Sequence, residues 1–154
     1  PIQTKEDGKW SIFEDDRFNV NYPIEGSRKF FAGGCGLSST LKDYYNFLSI
    51  FINNGKFKGK QIISKKTNEL IFENQLPEEF NFGVGLAFGV VLEKDLKSGA
   101  TGSEGTISWG GYWNTSYFAD PNEKVIGLIY KQTWDISENT SELFKRNVFS
   151  SVVN

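Results

Sequence analysis

Residues 106–132, with the sequence TISWGGYWNTSYFADPNEKVIGLIYKQ, constrain the fold of this 154-residue chain more than any other segment. Aromatic and β-branched residues fill three short runs, and turn-forming residues separate them at 114–115 and 120–123. This pattern predicts three consecutive antiparallel strands. The first run contains Gly110 and Gly111 among large aromatic residues, which is typical of a strand that another backbone approaches closely.

Two amphipathic helices are predicted before these strands. Ser39 or Thr40 is placed to cap the first helix, and Asp43 falls in its first turn, where a carboxylate is favoured. Ser64 is placed to cap the second helix, which should run from residue 65 to about residue 74 with Leu70 and Ile71 facing inward.

The rest of the chain divides into strands, loops and one more helix. The predictions are a strand around residues 10–13, a turn or hairpin at 56–63, a strand at 82–93, a polar loop at 94–105 and a closing helix at 137–153. Leu143, Val148 and Val152 should form the buried stripe of the closing helix, with Phe144 and Phe149 beside it. The predicted class is α+β, a single domain over residues 1–154 in which helices precede an antiparallel sheet and a C-terminal helix.

Composition excludes several kinds of site. The chain has no histidine, which rules out a Ser-His-Asp site and any histidine-ligated metal within it. The formal net charge of -2 and the absence of a basic run argue against nucleic acid as a partner, and no apolar stretch is long enough to cross a membrane. No cofactor-binding motif is present, and the single Cys35 permits no internal disulfide. Because the chain lacks methionine, we expect it to be a piece of a longer protein.

Two motifs with catalytic counterparts have plainer explanations. Ser39 and Lys42 spell S-x-x-K, the pattern of a nucleophilic serine one helical turn from an activating lysine. A capping serine followed by a solvated lysine explains the same residues. Tyr44 begins one of two Y-x-N tripeptides but lies on the apolar face of its helix, so it is expected to be a core residue. Cys35 has no histidine to activate it and is read as a small buried residue.

The order of several motifs resembles the serine β-lactamase family, in the branch of class C β-lactamases, D-alanyl-D-alanine carboxypeptidases and related esterases. The matching segments are AGGCGLSS at 32–39, the helix with DYYNF at 43–47, NG at 54–55, IISKKT at 62–67, FGVGLAFGV at 82–90 and SWGGYWNTSYFADP at 108–121. The resemblance covers residues 30–132 and implies a partial β-lactamase-like fold.

The resemblance also implies a set of site residues. Trp109, Gly110 and Gly111 match the family's third active-site motif, which forms one wall of the active site. The next residue, Tyr112, would supply a backbone N–H to the oxyanion, so Gly111 would give a substrate room beside the strand. Trp113 and Asn114 would also contact substrate, although Trp113 could equally be a core ring. Two departures stand out: Trp109 replaces a cation, which favours an esterase-like or other activity over penicillin-type substrates, and Asn114 replaces a frequent glycine.

The family's nucleophile, its lysine and its tyrosine would all lie upstream of this chain. The resemblance therefore implies a C-terminal portion of a serine hydrolase, inactive alone, with the N-terminal half of the same protein as its partner and a small-molecule, peptide or ester substrate. The strand at residues 124–131 should be an unpaired sheet edge with an apolar face, which a homodimer or an exchange of elements would cover. The resemblance also favours an exported protein, periplasmic or extracellular, because members of that family are often exported. The alternative is a non-catalytic module in which Trp109, Tyr112 and Trp113 form an aromatic platform for a glycan or peptide.

Overall fold

The computed structural model describes residues 1–15, 19, 21–25, 29, 33–34 and 36–152; Cys35 and Val153 lie outside these ranges. The strands are β1 Gln3–Glu6, β2 Lys9–Ile12, β3 Lys56–Phe57, β4 Lys60–Gln61, β5 Gly83–Val84, β6 Gly89–Val90, β7 Ile107–Gly110, β8 Ser116–Asp120 and β9 Val125–Ile129. The helices are α1 Tyr22–Glu25, α2 Leu41–Ile52, α3 Lys65–Phe72, α4 Glu93–Lys97 and α5 Thr140–Ser150.

An antiparallel five-stranded sheet in the order β5-β6-β7-β8-β9 organises the fold. Its two faces carry different helices, because consecutive strand residues point to opposite sides. Tyr117 belongs to the core cluster with Leu48 of α2, whereas the ring of Phe118 stacks on Phe149 of α5 at 5.3 Å. The predicted α+β class, with antiparallel strands and a closing helix, is confirmed.

Helices α2 and α3 begin where the sequence predicts. The hydroxyl of Thr40 accepts a hydrogen bond from the Asp43 N–H at 3.1 Å, and the hydroxyl of Ser64 accepts one from the Thr67 N–H at 3.0 Å. Leu48 of α2 is fully buried, which contributes about 1.5–3 kcal/mol relative to an exposed side chain. These helices cover the core side of the sheet and fix its position.

The segment before β7 differs from its prediction. The single strand expected at residues 82–93 is a hairpin of β5 and β6, and the loop expected at 94–105 contains the short helix α4. A Cβ on Gly85 would lie 2.0 Å from the carbonyl oxygen of Ile71 in α3. This close approach of the α3 backbone to Gly85 ends the strand pairing early.

The closing helix is shorter and more exposed than predicted. Leu143 is 46% exposed, so its assignment to a buried stripe is wrong. The contact with the sheet passes through Phe144 and Phe149, the two rings expected beside the stripe, which lie 6.1 and 5.3 Å from the ring of Phe118. None of the described α5 residues is fully buried.

The strand predicted near residue 10 is β2, and it pairs with an unpredicted strand, β1. This hairpin is attached to the chain that follows β9. The Gln3 N–H donates to the Gln132 carbonyl at 2.9 Å, and the Trp134 N–H donates to the Gln3 carbonyl at 2.8 Å. The N-terminal hairpin and residues 132–134 therefore form one local unit.

Candidate functional site

The second half of β7 has an open backbone edge. On one side, β8 pairs with all four β7 residues, and Trp109 lies opposite Tyr117. On the other side, β6 pairs only with Ile107 and Ser108. Within the described part of the chain, no strand continues this pairing along Trp109 and Gly110. An extended ligand backbone has room to add to the sheet at this point.

Just past β7, the chain makes a hydrogen-bonded turn over residues 111–114. The Asn114 N–H donates to the Gly111 carbonyl at 3.0 Å, and the Gly111 N–H donates to the Thr115 carbonyl at 2.9 Å. Tyr112 occupies the second position of this turn. The structure thus places the Tyr112 N–H in a turn at the end of β7 rather than on the strand itself. Its role as an oxyanion donor stays a prediction.

Asn114 has a backbone conformation that suits the glycine expected at this position from the sequence resemblance. Its φ angle is +65°, in the left-handed region that asparagine tolerates better than most side chains. Its side-chain nitrogen donates to the Thr133 hydroxyl at 2.9 Å and to a carboxylate oxygen of Glu138 at 3.2 Å. Both amide hydrogens therefore have internal acceptors, and contact with a substrate stays a prediction.

The two glycines have internal neighbours. A Cβ on Gly111 would lie 2.1 Å from the Thr115 hydroxyl oxygen, and one on Gly110 would lie 3.3 Å from the Thr115 carbonyl oxygen. The turn folds Thr115 back against Gly111, so a side chain at residue 111 meets the protein itself. Clearance for a substrate is not the first requirement for glycine here.

Among the described residues, Trp113 packs with the rings of Tyr112, Phe13 and Trp134. Its ring lies 5.0 Å from Tyr112, 5.9 Å from Phe13 and 5.8 Å from Trp134. The planes of Tyr112 and Trp113 cross at 81°, so these rings pack edge to face and do not make a flat stacking surface. Trp113 is a half-buried ring that joins the turn to the N-terminal hairpin, and its contact with a substrate stays a prediction.

Trp109 lies apart from this cluster. It shares the core face of the sheet with Ile107, two residues earlier, yet it is 55% exposed while Ile107 is fully buried. A large exposed ring beside an open strand edge is suited to contact a bound apolar group.

An ion pair lies behind the turn. Lys131 and Glu138 form a salt bridge whose side chains are 15% and 22% exposed. The Lys131 ammonium, with a further contribution from Thr140, lowers the pKa of Glu138 to about 2. Glu138 is therefore a carboxylate at neutral pH, and it accepts the hydrogen bond from Asn114.

Sequence reasoning missed these supporting residues. Lys131 and Glu138 are seven positions apart in a segment without periodicity, and Thr133 is nineteen positions from Asn114. The one available signal was the asparagine at a family glycine position, since a left-handed asparagine usually bonds its side chain locally.

Two open clefts flank the turn, each of about 410 Å³. One lies toward α5, between β7, β8 and the side chains of Ser141, Glu142 and Lys145. The other lies against Tyr112, Trp134 and Ile136. Both reach Gly111 and Asn114, so the turn forms the partition between them.

The other motif residues lie elsewhere. Ser39 and Lys42 are exposed, and the Ser39 hydroxyl donates to the neighbouring Thr40 carbonyl at 3.3 Å. Tyr44 packs on the core, with its ring 4.8 Å from that of Tyr117, as the helical spacing predicted. In the described ranges, no group of histidine, cysteine or acidic residues has metal-binding geometry, and none of the helices is long and apolar enough to span a membrane.

Comparison with curated proteins gives related sequences of undefined activity. No protein-family model matches the chain. Protein Rv1367c of Mycobacterium tuberculosis strain H37Rv is 32% identical over 113 residues, covering 64% of this chain and 28% of the relative. The uncharacterized protein MT1414 of M. tuberculosis strain CDC 1551 / Oshkosh matches with the same identity and coverage. The chain thus spans less than a third of these relatives.

Comparison with solved structures shows the fold. Unliganded simvastatin synthase (LovD) from Aspergillus terreus superimposes with a TM-score of 0.73 at 18% identity, over 97% of this chain and 42% of that one. EstCE1, a hydrolase with promiscuous acyltransferase activity, gives a TM-score of 0.77 at 17% identity, over 96% of this chain and 42% of that one. The chain therefore has part of a β-lactamase-like fold, as the sequence motifs predicted.

Proposed function

We propose that this chain is the C-terminal portion of a serine acyl hydrolase or acyltransferase and supplies the oxyanion wall of its active site. The open edge of β7 at Trp109 and Gly110, which leads directly into the turn containing Tyr112, carries the proposal. A substrate carbonyl beside this edge would accept a hydrogen bond from the Tyr112 N–H. Trp109, with no positive charge, favours an ester or another uncharged acyl group over a substrate anchored by a carboxylate.

The fold supports the proposal because LovD and EstCE1 share it. LovD is a simvastatin synthase, and EstCE1 is a hydrolase with promiscuous acyltransferase activity. In such a reaction, an activated serine attacks the acyl carbonyl, and water or an alcohol later releases the acyl group. The nucleophile and its base would come from residues upstream of this chain.

A reconstitution experiment tests the proposal. The 154-residue chain alone should not hydrolyse p-nitrophenyl butyrate, whereas the chain joined to its upstream residues should do so and should react with a fluorophosphonate probe. Labelling should map to a serine outside the present chain. Turnover by the chain alone that Ser39→Ala abolishes would contradict this assignment, and so would a joined protein that neither turns over esters nor takes the label.

Tyr112→Pro isolates the backbone donor. Proline lacks the N–H but suits the second position of a turn, so it should leave the turn formed. In the joined protein we expect kcat to fall by about 10²–10³ with little change in KM, the usual effect of losing one oxyanion donor. Tyr112→Phe retains the N–H and serves as the matched control. Equal losses in both variants would assign the effect to the side chain and refute the backbone role.

A further inference from the structure

We infer that Glu138, held by Lys131, is a positioning residue that fixes the turn at residues 111–114 through the side chain of Asn114. The catalytic consequence of this inference rests on the proposed function of the Tyr112 N–H. The mechanical part, a brace between residues 131–138 and the turn, rests on contacts within this chain.

The first link is the amide of Asn114. A residue with a φ angle of +65° pays a conformational cost unless other contacts hold it there. Asn114 makes two such contacts, to the Thr133 hydroxyl at 2.9 Å and to Glu138 at 3.2 Å. The hydrogen bond to the charged Glu138 carboxylate is of a stronger type than the one to the neutral Thr133 hydroxyl.

The second link fixes Glu138 itself. One carboxylate oxygen contacts the Lys131 ammonium, and the other accepts a hydrogen bond from the Thr140 N–H at 2.8 Å. The Lys131 ammonium also donates to the Ser141 hydroxyl at 2.9 Å. The carboxylate is thus held between the chain after β9 and the first turn of α5. The Lys131–Glu138 ion pair is partly shielded from water, so its electrostatic attraction is stronger than that of a fully exposed pair.

The third link is made by the backbone. The Thr133 N–H donates to the Trp113 carbonyl at 3.2 Å. Residue 133 therefore bonds the third turn residue through the main chain and the fourth through its hydroxyl. With Glu138, these contacts hold the C-terminal half of the turn, and the turn hydrogen bond passes that constraint to Tyr112.

Precise orientation matters for this type of site. An oxyanion donor must lie about 2.7–3.1 Å from the position that the charged oxygen occupies. Loosening the brace should therefore reduce kcat more than it changes KM, while the bulk of the fold remains. An accessory ion pair that serves only global stability would not produce that pattern.

Exchanging the two polar groups tests the brace. Asn114→Asp places two carboxylates together and removes the donor, whereas Asn114→Asp with Glu138→Gln restores one donor and one acceptor in reversed order. Aspartate also tolerates a positive φ angle. In the 154-residue chain, NMR should show about tenfold faster exchange of the Gly111 and Thr133 amides, which donate to the Thr115 and Trp113 carbonyls, in Asn114→Asp, and recovery in the double variant. Glu142→Gln, on α5 but outside the brace, should leave both amides unchanged.

A kinetic measurement completes the test. In the joined protein, kcat for p-nitrophenyl butyrate should fall about tenfold in Asn114→Asp at nearly constant KM and should recover in the double variant. Unchanged amide exchange in a folded Asn114→Asp protein, or a double variant no better than the sum of the two single changes, would overturn the brace. If Asn114→Asp does not fold, Asn114→Gly, which permits the same φ angle and lacks the amide, gives the same comparison.

The two proposals fail in different ways. A joined protein without ester turnover refutes the proposed function, and amide exchange then still decides whether the brace exists. Turnover that is insensitive to these variants, in a protein whose Tyr112→Pro variant is impaired, refutes the brace alone.

Discussion

Glycine at residue 111 has two possible explanations: the close contact with Thr115 and clearance for a substrate. A Cβ there would lie 2.1 Å from the Thr115 hydroxyl oxygen but 3.4 Å from the Thr115 Cβ, so the conflict is mainly with one rotatable group. We expect Gly111→Ala to lower the free energy of unfolding by about 1–3 kcal/mol, the range of overpacking changes. Adding Thr115→Ala should recover part of this loss. Urea unfolding of the four proteins in this cycle measures the coupling.

Gly33→Ala is the control for this cycle, because no atom of the described residues lies within 4 Å of a Cβ at that position. It should leave stability nearly unchanged. Additive losses in Gly111→Ala and Thr115→Ala would show that Thr115 is not what requires glycine at residue 111. Clearance for a substrate would then become the better explanation.

Asp120 is a buried carboxylate whose contribution to stability can be measured directly. It is fully buried, and its oxygens accept hydrogen bonds from the Thr106 hydroxyl at 2.7 Å and the N–H groups of Ser103, Asn122 and Glu123 at 2.8, 2.9 and 3.0 Å. Burial alone raises the pKa of Asp120, but the bonds from Glu123, Thr106 and Ser103 outweigh it and hold the pKa below its usual value of 3.8. The charged form is therefore favoured by folding.

Asp120→Asn should lower the free energy of unfolding by about 1–3 kcal/mol at pH 7. The asparagine NH₂ group would replace one accepting oxygen and would face hydrogen-bond donors. The native carboxylate has the lower pKa, so its contribution is complete above about pH 4 and is lost as the pH falls through the folded pKa. The stability difference between the native protein and Asp120→Asn should shrink below pH 4. Urea unfolding at several pH values measures it, with the exposed Glu104→Gln as control. A difference that stays constant down to pH 2.5 would contradict the assigned pKa shift.

The residues named from sequence and those named from structure differ for a physical reason. Trp109 to Asn114 are contiguous, so one motif match located them all. Glu138 and Thr133 support the same turn through side chains 24 and 19 positions away, and no local pattern records such a pairing. The role of Trp113 was undecided for the same reason, because its partners Phe13 and Trp134 come from distant segments.

At the scale of elements, local signals predicted α2, α3, β8 and β9 well. Each has a side-chain cap or a turn sequence at its ends and a clear apolar face. The hairpin of β5 and β6 was missed because its break comes from a tertiary contact, the carbonyl of Ile71 against Gly85. Leu143 of α5 is exposed although the helical periodicity predicted it to be buried. The contacts of α5 with the sheet are set by the position of one ring, Phe118.

The two long helices should differ in local stability. Leu48 and Phe51 of α2 lie in the core, whereas none of the described α5 residues is fully buried. We therefore expect α5 amides to exchange with solvent through a partial opening, well before those of α2. Hydrogen exchange followed by mass spectrometry measures this difference. Phe149→Ala should accelerate exchange in α5 and leave α2 nearly unaffected. Equal protection of both helices, lost together in that variant, would mean that they unfold as one unit.

At the scale of the whole molecule, the sheet ends at β9. In the described part of the chain β9 pairs only with β8, so the predicted sheet edge is present, although what covers it is untested. An edge strand with the sequence VIGLI is a template for pairing with another strand. The solved structures that share the fold are more than twice as long, since the chain covers 42% of each. We propose that upstream residues cover this edge in a longer protein and that a second copy covers it in the isolated chain.

Sedimentation velocity over about 1–100 μM should then show the 154-residue chain passing from monomer to dimer. Ile129→Lys places a charge on the edge strand and should weaken the association, because charged edges are how proteins prevent such pairing. Leu143→Lys adds the same charge on exposed α5 and should leave association unchanged. The joined protein should not associate through this edge. A single monomer boundary at every concentration would rule out self-pairing, and equal weakening by both lysine variants would place the contact elsewhere.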